Sequence, residues 1–579
     1  MNEESKSIGK NRRTAWWTGK RGLLLCFMLV MVIVLILALP LGCAIALSSA
    51  VGLALAAVFL AVFIHWVSCW RNFKRFLFGL ACLGTLIALF YAEEDWRGKH
   101  DWENFKRAWE AKGERFNRAS VVPPPVPDDH NFALTPVVAS CYLHLLDKSG
   151  HRLSPQNTNI NNRLAMDISL NSGKPANGTG DWQKFTPVDL AAWQHYYRTL
   201  AATTNVFPVA PQLQSPAADV LLALSKYDPP LVALRQAGRL TDSRFPLEYD
   251  TENPVAMMLP HLLNLKRCAQ VLQLRALAEL ENGQSDQALG DVKLMLRLAD
   301  SIRTEPILIS QLVRAAIVNL ALQPVWEGLW QHKWSDAELG ELDQALAEVN
   351  FLAGYKLSMR GEMVLCQAGV FDYLRHHPDQ YASLSGDNND PYWPGSWIRF
   401  LARLLPSGWL YQNQLRCARP MVEHYLPAVD ASGQMVSPSK VKAADEAVAA
   451  QTRRPNAFNL GQRLLLPALG TAALRFAHAQ SVVDLASVAI ALERYRFAHG
   501  EYPDSLDALA PQFIAKVPHD VINGQPLRYR READGRFVLY SVGWNETDDS
   551  GEVALTKSGK VDTRNGDWVW RYPADRSIQ

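Results

Sequence analysis

The hydrophobic pattern of the chain begins with a run of 49 uncharged residues, 22–70, far longer than any helix of a soluble core requires. At about 1.5 Å per residue it would reach roughly 73 Å as one helix, more than twice the roughly 30 Å hydrocarbon core of a bilayer. It is therefore expected to fold back on itself, with one span over 23–41, a second over 49–69, and Pro40, Gly42, Ser48 and Ser49 in the turn between them. A third uncharged run, 76–92, follows the basic group Arg71, Lys74 and Arg75. A cleaved signal peptide would have an apolar core of only about 7–15 residues, so membrane anchorage through three spans is the better reading.

The pattern then changes period. Residues 93–118 alternate charges with Trp102, Phe105, Trp109 and Phe116 at helical spacing, which predicts an amphipathic helix lying on a bilayer surface or docked on a soluble body. The run VVPPPVPDD, 121–129, removes backbone donors and fixes φ, and reads as a stiff spacer. Residues 130–185 read as loop with two strands.

From about Thr186 the period is that of helices. Leu262, Leu265, Ala269, Leu272, Ala276 and Leu280 form one stripe ended by Gly283, and Ala288, Val292, Met295, Ala299 and Ile302 form the next, an antiparallel hairpin. The hairpin looks like a tetratricopeptide unit, but no 34-residue repeat recurs, leaving a hairpin bundle or a divergent array. A helix over 305–331 has Pro306 in its first turn and almost no charge beyond Arg314 and Glu327, as expected at a bundle centre. Ser335 with Glu338 forms a capping box, with Trp334 placed to staple against Leu339. Residues 376–395 and 427–456 read as long polar excursions, and His376, His377 and Asp379 as part of a solvated loop rather than a metal site.

Near the C-terminus a long helix is predicted over 472–499, with Phe476, Val483, Ala486, Ile490, Leu492 and Tyr495 apolar and Gly500 as its stop. A short second helix begins at Leu506. Strand-like runs at 527–531 and 536–542 flank Ala533-Asp534-Gly535, a hairpin signal.

Composition narrows the function. The chain of 579 residues is formally +2, and its first 75 residues carry nine basic and two acidic side chains, or +7, which leaves the remainder at −5. A weakly acidic body is a poor partner for nucleic acid. Six Lys and Arg residues among the first 21 and three in the second short loop predict a cytoplasmic N-terminus and, after three spans, an outside C-terminal region. Seven basic residues between Arg97 and Arg118 would then have to cross, so a cytoplasmic body after two spans is the alternative. Cys26, Cys43, Cys69 and Cys82 lie in the apolar runs, while Cys141, Cys268, Cys366 and Cys417 are far apart, without zinc-type spacing, and read as buried free thiols.

No G-x-S-x-G elbow, H-E-x-x-H, Walker loop or G-x-G-x-x-G occurs in the sequence. His478 and Glu493 would be about 22 Å apart along one helix, too far for acid–base partnership, and are expected to play ordinary surface roles.

The order Ala491-Leu492-Glu493-Arg494-Tyr495, Gly500, Tyr502-Pro503, Leu506, Leu509, Pro518, Asp520, Gly524 and Tyr540-Ser541-Val542-Gly543 resembles the major pseudopilin, protein G, of type II secretion systems. Segments 93–135 and 255–345 also look like uncharacterised bacterial membrane-anchored proteins that end in this module. The resemblance implies a long helix on a small antiparallel sheet. It also implies calcium bound by oxygens after the Tyr-Ser-x-Gly strand, which would here be Asn545, Asp548, Asp549 and Glu552 within a loop shorter than the family's. A pseudopilin opens with a processed basic leader, whereas this helix starts some 460 residues into the chain, so the resemblance is one of fold and not of polymerisation.

The expected architecture is membrane-anchored and predominantly α. It comprises a cytoplasmic tail with three transmembrane helices (1–92), an amphipathic helix and spacer (93–129), a mainly helical hairpin-bundle body (130–460) and a pseudopilin-like α+β domain (461–579) whose signals agree as a self-contained fold. The expected function is non-enzymatic: a multi-pass inner-membrane protein of the cell envelope that contacts unknown protein partners in a secretion- or pilus-like assembly. The alternative is an envelope hydrolase or binding protein with a site built from residues distant in sequence.

Overall fold

The computed structural model describes residues 58, 62, 64–66, 68–142, 162–170, 174–175, 178–251, 253–254, 257–377, 380, 405–454, 456, 458–466 and 469–573. The first expected span, two-thirds of the second and most of the excursion at 376–395 lie outside these residues. Two compact units are present, 1–96 and 97–579.

Helix α1, Trp70–Glu110, is 41 residues long, and the boundary between the units falls within it. The third apolar run and the amphipathic stretch are thus one helix rather than two, because no Pro or Gly pair interrupts them. In the first unit Leu77, Phe78, Leu80, Leu83, Leu86, Ile87, Leu89 and Phe90 are all exposed to solvent. In the second unit the same helix buries Trp102 and Phe105, and Phe116 returns after a turn at Gly113 (φ 99°) to pack on both at 5.8 and 5.9 Å. Glu114 takes a two-pronged bond from Arg360 at 2.8 and 2.7 Å, and Gln412 donates to Asp101 at 2.8 Å. Of the two settings open to the aromatic stripe, the body therefore takes it. The proline run follows along the body too, with Val121 in the core.

Among the described residues of 130–185 there are isolated bridges but no strand; Pro136–Ala139 is a single helical turn. Asn131 substitutes for strand pairing, with its amide bonded to both backbone groups of Arg244 at 2.9 Å.

The body is built of helices: α2 Leu190–Ala201, α3 Pro216–Leu224, α4 Asp228–Ala237, α5 Pro260–Glu281, α6 Ser285–Asp300, α7 Leu308–Trp330, α8 Asp336–Ala347, α9 Phe351–Gly361, α10 Ala368–His376 and α11 Ser407–Pro420. The α5–α6 hairpin closes through Gly283 at φ 75°, with Gln284 N–H reaching Glu279 C=O at 2.8 Å, a Schellman closure. The capping box is formed, Ser335 N–H to Glu338 at 2.7 Å and Glu338 N–H to the Ser335 hydroxyl at 3.3 Å. Trp334 is buried as its staple role requires, and its indole lies so close to Gly328 that any side chain there would collide.

α7 is long and apolar enough to cross a membrane but packs within the large unit against α5, α6 and α9. It begins three residues later than expected, leaving Pro306 outside, and carries Pro324 internally.

The segment 427–456 is not an excursion. It forms a small hairpin, β1 Val429–Asp430 with β2 Met435–Val436, and helix α12, Pro438–Thr452, whose start is capped by the Ser437 hydroxyl. Ser-Pro is an N-cap followed by N1 proline, a start signal outweighed in the sequence reading by the surrounding small residues.

Helix α13, Leu469–His499, is buried nearly all round through Glu493 and packs on α7, α8, α9 and α12. Beyond it, β3 Arg528–Arg531, β4 Phe537–Ser541 and β7 Trp568–Arg571 form an antiparallel sheet in the order β3-β4-β7, while β5 Val553–Leu555 pairs with β6 Val561–Gly566. The expected hairpin is present; β5, β6 and β7 were not foreseen. The described residues are mainly helical with these few small sheets. The core is continuous from Trp102 to Tyr572, so the C-terminal helix and sheet share it with the body: Trp182 packs on Trp570 at 5.1 Å and the Trp326 indole donates to the Arg571 carbonyl at 3.0 Å.

Candidate functional site

The motif residues of the C-terminal portion converge. The Asp520 carboxylate, 2% exposed, accepts the Ile522 N–H, the Ser541 hydroxyl and the Val542 N–H, each at 2.9 Å, tying the Pro518–Gly524 loop to the end of β4. Three donors on one buried carboxylate fix a loop more firmly than turn propensity alone.

After β4 the chain enters the acidic loop. Asp548 accepts from the Tyr540 hydroxyl and Ser550 N–H, both at 3.0 Å, and faces Arg528 at 3.4 Å. Asp549 accepts from the Asn545 amide at 3.0 Å. Glu552 is exposed, and its backbone carbonyl accepts Asp567 N–H at 3.0 Å. The organising residue is Asp567, which the sequence reading missed. Its buried carboxylate accepts Asp549 N–H at 3.3 Å and Gly551 N–H at 2.7 Å, and burial, with Asp549 and Asp548 nearby, pushes its pKa up to about 6. The signal for it, a lone Asp between Gly566 and Trp568, is invisible without the β6–β7 turn. The oxygen donors suit a hard cation. Yet among the described residues no three His, Cys, Asp or Glu side chains gather as a metal shell, and Asp548 and Asp549 are engaged with protein partners.

A second cluster joins the body to α13. Glu493, 1% exposed, is held by the His332 Nδ1 at 2.8 Å, by Arg496 at 2.7 and 3.1 Å and by the Tyr502 hydroxyl at 2.7 Å. Burial pushes its pKa up, but the His332, Arg496 and Tyr502 hydrogen bonds outweigh that and hold it below the usual carboxylate range. A carboxylate accepts only, so His332 donates from Nδ1. Neither Glu493 nor His478 has the surface role expected: His478 stands edge-on to Trp568 at 5.1 Å, and burial pushes it down to about 4, keeping it neutral. His332 was missed because it lies 161 residues from Glu493. His376 bonds the Asp372 carbonyl at 2.8 Å and His377 packs on Tyr373; Asp379 lies outside the described residues.

A cavity of about 490 Å³ between α2, α3, α5 and α7 is walled by Pro187, Leu277, Leu280, Trp330 and Glu327. Burial pushes the Glu327 carboxyl up to about 7, against the hydrogen bonds from Gln323 at 2.8 Å and Val188 N–H at 2.9 Å. It is the kind of perturbed group that marks functional pockets. Ser215 and Glu281 share the wall, but the Ser215 hydroxyl caps α3 by accepting Ala218 N–H at 3.2 Å and Glu281 is paired with Lys333 at 2.5 Å. The six described cysteines are free; Cys141, Cys268 and Cys417 are fully buried.

No family model matches the chain, and no curated protein and no solved structure matches it either.

Proposed function

We propose that this is a membrane-anchored envelope protein of the inner membrane, multi-pass, whose large unit works by contact with other proteins in a secretion- or pilus-like assembly and whose C-terminal helix and sheet are pseudopilin-like. The observation that carries the reading is the N-terminal half of α1, where eight large apolar side chains between Leu77 and Phe90 stand exposed on one helix. In water that surface would cost about 25 cal/mol for each Å², so a bilayer is its natural surrounding. The long helix ending at Gly500, the Asp520-tied loop and the hairpin after it support the pseudopilin-like reading.

The test is fractionation followed by purification of the tagged full chain from solubilised membranes after in-cell crosslinking. The chain should resist alkaline carbonate extraction and carry a reproducible set of crosslinked envelope proteins. A chain released by carbonate would overturn the anchorage, and a chain purified without crosslinked partners would overturn the contact role. The Glu327 cavity, where Ser215, Asn282 and Gln331 stand beside Leu277, Leu280 and Trp330, favours a second reading, a binding protein for a small molecule of mixed polarity, which a screen of ligand-induced melting shifts would reveal.

A further inference from the structure

Arg314 lies in the second turn of α7 with 2% of its surface exposed. A guanidinium carries five N–H donors, and buried ones are ordinarily matched to a carboxylate. Among the described residues Arg314 has one acceptor, the Asn350 carbonyl at 3.2 Å from Nη1, and no ion pair; the Phe351 ring lies 4.9 Å from the guanidinium carbon, and Asp300, already bound to Arg297 and Arg303, acts on it only at longer range. Nε is buried without a partner. Burial pushes the pKa down to about 10, so Arg314 remains charged at neutral pH without a matching anion.

This side chain forms part of the wall of a cavity of about 170 Å³ where α6, α7 and α8 meet, with Lys293, Arg297, Asp300 and Glu348. Lys293 is paired with Glu341 at 2.7 Å, and Asp300 is shared between Arg297 and Arg303, both at 3.2 Å. Glu348 is exposed. Of the charged residues that line the cavity, three are cations (Lys293, Arg297, Arg314) and two are anions (Asp300, Glu348), and the cation without an ion pair is the most deeply buried. At about 30 Å³ per water-sized group the space holds five or six such groups, the size of a phosphate or a short carboxylate.

We propose that this cavity binds a small oxyanion, a phosphate or carboxylate group, with Arg314 as its principal partner and with Lys293 and Arg297 as the further cations of its wall. A planar guanidinium meets both chemistries in two-pronged fashion. The wall cations draw the anion in, while Asp300 and Glu348 limit its net charge.

The test uses the detergent-solubilised full chain, melted in inorganic phosphate and separately in succinate, with ionic strength held constant by sodium chloride. At a hundredfold excess over Kd at least one oxyanion should raise Tm by about 2 °C or more relative to chloride, and the more effective of the two identifies the ligand class. Arg314→Met should fold, since an apolar side chain replaces an unmatched buried charge, and should lose at least nine-tenths of the shift. Should that variant fail to fold, Ala345→Leu fills the cavity with Arg314 in place and should weaken the anion at least tenfold. No shift in the parent with either anion, or a shift unchanged in the folded variant tested, overturns the proposal.

Discussion

Glu493 on α13 accepts a hydrogen bond from Nδ1 of His332, 2.8 Å away and 161 residues earlier. His332 has φ 53°, the left-handed backbone usual for glycine, and closes the C-terminus of α7 with Lys333 N–H on the Gly328 carbonyl at 2.8 Å. The histidine is thus strained locally and held from a distance, so one bond ties the end of the central body helix to the C-terminal helix.

Glu493→Gln should destabilise the chain by about 3 kcal/mol, because a buried carboxylate with charged partners is removed while Arg496 stays. His332→Ala should cost about 1 kcal/mol, and the double variant less than the sum, as measured by urea unfolding. Glu493 has a lowered folded pKa, so its stabilisation is present above its unfolded value and is lost as pH falls through the folded one. The acid limb of the stability curve should therefore flatten in Glu493→Gln.

Burial pushes Glu327, Glu279 and Asp484 each up to about 7, with Asp291 adding to the effect on Glu279. A raised folded carboxylate pKa means the folded state holds more protons than the unfolded one between about pH 4.5 and 7. Stability should accordingly rise as pH falls through that window, and Tm should be higher at pH 6 than at pH 8. Glu327→Gln keeps an acceptor for Val188 and should stabilise the chain at pH 8 by about 2 kcal/mol, with no gain at pH 5.

Asp291 is fully buried between Arg235 and Arg275, the latter also reaching Asp228 at 2.5 Å and Glu279 at 3.3 Å. Asp291→Ala leaves the half-buried Arg235 and the buried Arg275 short of a partner, and should cost about 3–5 kcal/mol. A loss below 1 kcal/mol in equilibrium unfolding would show that Glu279 takes over both arginines.

Asp567→Ala should lower Tm by several degrees by freeing the Asp549 and Gly551 amides. Millimolar calcium should leave the parent Tm unchanged, because Oδ1 of Asp548 already accepts from Tyr540 and Ser550 and a cation on Oδ2 would have to displace Arg528, 3.4 Å away. A calcium-dependent rise abolished by Asp548→Asn with Asp549→Asn would mean that the loop rearranges around the ion.

A fragment spanning 468–579 should lack a cooperative thermal transition. Its helix would expose the surface that α7, α8, α9 and α12 cover, and Trp570 would lose Trp182.

Local signals were legible. Gly283 and Gly500 stop helices at φ 75° and 85°, Ser335 caps α8, and Ala533-Asp534-Gly535 turns β3 into β4, because each depends on residues within five positions. The apolar run 76–92 was legible for the same reason, as was the all-round apolarity that buries α7. The helix at 438–452 was hidden only by competing composition. Tertiary structure alone decided that the aromatic stripe of α1 docks on the body, that α13 shares its core, and that Glu493 meets His332, Asp567 closes the acidic loop and Arg314 lacks a counterion. Those relationships join residues whose spacing in sequence carries no period, and the packing of the whole unit decides which apolar faces meet and whether a buried polar group finds a partner.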